Sequence, residues 1–71
     1  MSSTMHHFYL TRADACRNDA ERATLANVRD RFLTSETTWR QLAARAGRVE
    51  ALHTQLVAEK SAARAAAAIP A

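Results

Sequence analysis

The chain holds a single cysteine, a single glycine and a single proline in 71 residues. The lone Cys16 excludes an intramolecular disulfide framework, and an unpaired thiol suits a reducing compartment. With Gly47 as the only glycine there is no glycine-rich phosphate loop. Aromatic residues are few: Phe8, Tyr9, Phe32 and Trp39. No stretch approaches the roughly 18 uninterrupted apolar residues of a membrane span, and the first residues, through His6 and His7, lack the apolar run of a signal peptide. The expected location is therefore cytoplasmic. A chain of this size rarely draws more than about 3–5 kcal/mol of net stability from its own core, so small domains without staples lean on partners.

What the sequence does have is alanine, arginine, glutamate, leucine and glutamine, with strand formers sparse and never alternating. That composition specifies an all-α, single-domain protein. Its net charge is +3, from nine arginines and one lysine against seven acids. The excess admits an acidic protein or a nucleic acid as partner without requiring either.

Two apolar periodicities run along the chain. Met5, Tyr9, Ala13, Cys16, Ala20 and Ala23 recur in steps of three and four and lie on one helical face. Val28, Phe32, Ser35, Trp39, Leu42, Ala46, Val49, His53 and Leu56 form a second, heptad-spaced series. The two are out of phase. Continuing the first past Ala23 would put Asn27, Asp30, Thr34, Thr37 and Gln41 into the seam, all of them polar. The chain is thus expected to reset over 24–27, with Asn27 as N-cap and Asp30 completing a near capping box. A short connection makes amphipathic helices antiparallel neighbours.

The reading is an antiparallel two-helix hairpin with a longer second helix. The helices run over about 5–23 and 28–60, and an alanine-rich tail frays over 61–71, where Pro70 cannot extend a helix. One long bent helix is the competing reading. Folding at the break pairs Ala20 with Phe32, Cys16 with Ser35, Ala13 with Trp39, Tyr9 with Leu42 and Met5 with Ala46. Small side chains then face large ones, as interdigitating helices require. Gly47 allows two outcomes: it ends the second helix so that a third folds back from Arg48, or it marks a close helix crossing.

The second helix outlasts the first. Val49, Leu52, His53 and Leu56 continue the apolar line where the hairpin has nothing to cover them, and such a stripe marks an interface. Self-association is expected, most simply as two hairpins completing a four-helix bundle, a coiled-coil homodimer.

No residue set calls for catalysis, and no cofactor, metal or small-molecule substrate is expected. His6 and His7 point to different sides of a helix, no second Cys or His stands at ligand spacing, and the pair reads as a flexible terminus with His53 an interface histidine. A zinc site bridging subunits is the alternative. Cys16 lacks a neighbouring base and reads as a small core residue. Arg45 and Arg48, with no acid at the favourable helical spacing, are the candidate nucleic-acid contacts, although the arginines as a whole do not form one stripe.

Residues 8–50 resemble a family of small proteobacterial proteins of unknown function. The resemblance lies in Tyr9, Arg12-Ala13, Cys16-Arg17, Ala20, Ala23-Thr24, Val28-Arg29, Ser35-Glu36, Trp39 and Leu42-Ala43. It implies a bacterial helical hairpin with an arginine-rich first helix and an aromatic residue midway along the second. Many members start that second helix with an Asp-Pro-type sequence, where this chain has Leu25-Ala26-Asn27. The resemblance carries no activity, cofactor or catalytic residue. The functional expectation is a non-enzymatic structural or interaction protein, homo-oligomeric or an accessory subunit of a larger complex. An arginine-rich nucleic-acid-associated regulator is the alternative.

Overall fold

A computed structural model of the chain describes residues 3–68. Helix α1 spans Ser3–Arg22 and helix α2 spans Ala26–Ala67. Cross-helix contacts establish the antiparallel order. His6 meets Ala43, Asp14 meets Arg40, Arg17 meets Glu36 and Ala23 meets Arg29. As the chain advances along α1, its partner retreats along α2.

The reversal is tighter than expected and lies slightly earlier. Leu25, not Asn27, is the N-cap of α2. It is extended (φ −96°, ψ 133°) and makes no side-chain capping bond. Its carbonyl accepts the first helical hydrogen bond from Arg29 N at 3.0 Å. Asn27 is exposed inside the first turn. The other side of the turn explains the shift. Ala23 N donates to Ala20 O at 3.2 Å, tightening the last turn of α1. The Arg29 guanidinium then donates to Ala23 O at 3.0 Å. An arginine of α2 thus satisfies a carbonyl that the end of α1 leaves open, which requires α2 to be helical by Arg29.

Helix α2 passes through Gly47 without a break and without a positive φ; no third helix forms among the described residues. It also continues through the segment expected to fray, because Ala62, Ala63 and Ala65 to Ala67 are strong helix formers. The stop expected at Pro70 lies outside the described residues.

The buried residues are Ala13, Cys16, Ala20 and Ala43. All are small, so the helices approach closely over them, and the large side chains flank the contact. The expected pairing of Met5 with Ala46 and Tyr9 with Leu42 holds, since the four line one groove, but the face that α2 turns toward α1 is corrected. The residues of α2 that face α1 centre on Glu36 and Ala43, one position beyond Ser35 and Leu42. Helix α2 is thus turned about its own axis from the expected seam, by up to the roughly 100° that separates neighbouring residues. Phe32, Trp39 and Leu42 are half-buried rather than central. Trp39 reaches across to Phe8 and Tyr9, with ring centroids at 6.0 and 5.9 Å, and Arg12 lies 5.6 Å from its ring centre.

The molecule measures 72 × 13 × 10 Å, with a radius of gyration of 19.6 Å; a compact chain of this length has about 11 Å. The elongation comes from unequal helices: 20 residues in α1 against 42 in α2.

Candidate protein interface

From Ala51 to Ala68 every residue of α2 is exposed. At 1.5 Å per residue, roughly 25 Å of helix stands beyond the reach of α1. Within and just before it, Val49, Leu52, Leu56 and Val57 are 52–58% exposed. Val49, Leu52 and Leu56 fall within about 60° of one another around the helix, and Ala63 continues their line. His53 lies at the edge of the stripe and is also exposed.

The stripe does not end where the hairpin begins. An apolar groove of about 320 Å³ is lined by Met5 and Tyr9 of α1 and by Leu42, Arg45, Ala46 and Val49 of α2. A smaller one, about 230 Å³, lies between Val28, Arg31, Phe32 and Ser35. Val28, Ser35, Leu42, Val49, Leu56 and Ala63 stand seven apart, a line that drifts about 20° per heptad along one side of the molecule.

The other side is charged. Arg40 donates to Glu36 at 2.8 Å and to Asp14 at 3.2 Å, and Arg17 bonds Glu21 at 3.2 Å and lies 3.7 Å from Glu36. Glu36, with only 13% of its side chain exposed, takes both arginines. Glu36 first, then Asp14, raises the Arg40 pKa above its ordinary value. Arg17–Glu36 and Arg40–Asp14 cross between the helices, and Glu36, lying toward α1, favours the observed rotation of α2.

The histidines separate. His6, expected in a flexible terminus, is fixed: its Nδ1 lies 2.8 Å from Ala43 O, so the proton on Nδ1 is donated to that carbonyl. The imidazole rests on Gly47, where a Cβ would come 3.3 Å from Nδ1. Gly47 therefore makes room for a side chain of α1, the second of the two outcomes its position allowed. Gly47 is the one indirect sign of this His6 contact in the sequence. His7 and His53 are exposed. Cys16 is buried among the small core residues.

Arg45 and Arg48 are exposed and make no ion pair among the described residues. Arg45 borders the apolar groove. Arg17, Arg22 and Arg40 are held by acids, Arg29 by Ala23 O and Arg12 by the Trp39 ring. Among the described residues no helix is long and apolar enough to cross a membrane. Four exposed hydrophobic residues lie outside the two apolar series: Phe8, which packs on Trp39, Leu25 at the N-cap of α2, and Leu52 and Val57, which widen the stripe.

No protein-family model, curated protein or solved structure matches the chain.

Proposed function

We propose that the protein acts by protein association, as a homo-oligomeric helical hairpin or as an accessory subunit of a larger complex, with no catalytic role of its own. The observation that carries this reading is the stripe of Val49, Leu52, Leu56 and Val57, each more than half exposed on a helix that its own chain leaves uncovered. Monomeric proteins rarely leave a contiguous apolar patch of this kind open to water. Nucleophile and base chemistry have little support: Cys16 is spent in the core and His6 on a backbone carbonyl.

A nucleic-acid role has less behind it. Five of the nine arginines are engaged within the hairpin, and the four with no described contact, Arg31, Arg45, Arg48 and Arg64, are spread along α2 from residue 31 to 64 rather than gathered in the cluster a phosphate-binding face presents. Steep loss of affinity with added salt would be its signature.

The reading is tested with Leu52→Asp and Leu56→Asp, assayed by co-sedimentation of tagged and untagged chains and by retention of cellular partners. Both changes fall on exposed helix and leave the hairpin core untouched, so helicity should persist while association falls at least tenfold. Unchanged association would refute the reading.

A further inference from the structure

We infer that the occupant of the α2 stripe is a second copy of the same chain, laid antiparallel so that the two uncovered segments of α2 pair with each other about a two-fold axis near residues 57 and 58. The inference rests on the association reading above and specifies its partner and geometry.

The uncovered segment is self-complementary. Its first half carries the large side chains Val49, Leu52, Leu56 and Val57; its second half carries Ala62, Ala63 and Ala65 to Ala67. An antiparallel two-fold places Leu52 level with Ala63 of the second copy and Val49 between its Ala63 and Ala67, the alanines that share the stripe's azimuth, and repeats both contacts at the other end. An isologous interface requires this kind of self-matching patch. Large against small is also how facing helices fill space. A parallel arrangement would instead stack alanine on alanine over half the length.

Charge agrees with this register. Glu50 of each copy comes within one residue of level with Arg64 of the other, both on the Val57 side of the helix. Glu59, held by Gln55 Nε2 at 3.1 Å, stays at the margin of the central Leu56 layer, and the Lys60 stem can lie along that layer with its ammonium in water.

Surface area points the same way. The chain exposes 5713 Å², whereas a compact monomer of 7.8 kDa exposes about 4,400 Å². The excess, about 1,300 Å², is on the scale that one partner buries in an obligate homodimer. In this geometry the two hairpin bodies lie at opposite ends of a long rod. It therefore differs from the side-by-side four-helix bundle expected from the sequence.

Spin labels at Ala51, Ala58 and Ala65 of the full chain, in a Cys16→Ala background, test the arrangement. These positions face away from the stripe and are one heptad apart. The antiparallel pair predicts the shortest interchain distance at Ala58. At Ala51 and Ala65 the two labels should be offset by about 20 Å along the axis. Three equal short distances would mean parallel pairing, and a minimum at Ala51 would mean side-by-side bodies. Either overturns this geometry while leaving association through the stripe in place. A chain that shows no interchain distance and sediments as a monomer also overturns it. Association with other proteins then stands or falls on whether Leu56→Asp releases partners that the unmodified chain retains.

Discussion

At the residue scale, the core is built from small side chains. Buried Ala13, Cys16, Ala20 and Ala43 bring the helices together, and Trp39 lies beside that contact rather than within it. Trp39→Ala should therefore cost roughly 2–3 kcal/mol in chemical denaturation, less than the 3–5 kcal/mol typical of a fully buried ring. A loss below about 1 kcal/mol would show that the Phe8, Tyr9 and Trp39 rings contribute little. Gly47 offers a sharper test. Replacing a helical glycine with alanine ordinarily gains about 1 kcal/mol. Here the new Cβ would press on the His6 ring 3.3 Å away, so Gly47→Ala alone should gain much less. In a His6→Ala background the full gain should return. A double-mutant cycle measured by urea denaturation reads that coupling directly; additive effects would contradict the His6 contact. The glycine was legible as an anomaly in the sequence. The histidine was not, because side-chain reach across a crossing has no periodic signature.

At the scale of the helices, the sequence located both elements and the reversal between them, and erred on the cap and the rotation. Asn27 had the right chemistry for an N-cap, but the backbone placed Leu25 there, since Arg29 closes the end of α1 from the first turn of α2. Asn27→Ala should consequently shift stability by less than about 0.5 kcal/mol, the usual range for surface positions. Leu25→Asp should raise it by about 1 kcal/mol by supplying the missing cap. Thermal unfolding of the two variants checks both signs. The rotation escaped the apolar pattern because a polar side chain, Glu36, occupies the face toward α1, bound to Arg17 and Arg40. A hydrophobic seam cannot register such a residue. Glu36→Gln should cost on the order of 1 kcal/mol, more than a wholly exposed pair, and the cost should shrink in high salt. A salt-independent loss would assign Glu36 a packing role instead.

At the scale of the whole molecule, unequal helices create the functional surface. Twenty residues of α1 cannot cover 42 of α2, and the uncovered length carries a stripe with large side chains at one end and alanine at the other. The overhang was legible in the sequence because the second apolar series runs well past the reach of the first. Its uninterrupted course to Ala67 was less so, since an alanine run reads equally as a fraying end. The most direct measurement is the mass of the purified chain by sedimentation equilibrium, alongside Leu56→Asp. The unmodified protein should sediment as a species of twice 7.8 kDa and the variant as a helical 7.8 kDa monomer. An unmodified chain that stays folded and monomeric at all concentrations, or a Leu56→Asp variant that remains fully dimeric, would contradict a dimer formed through the stripe.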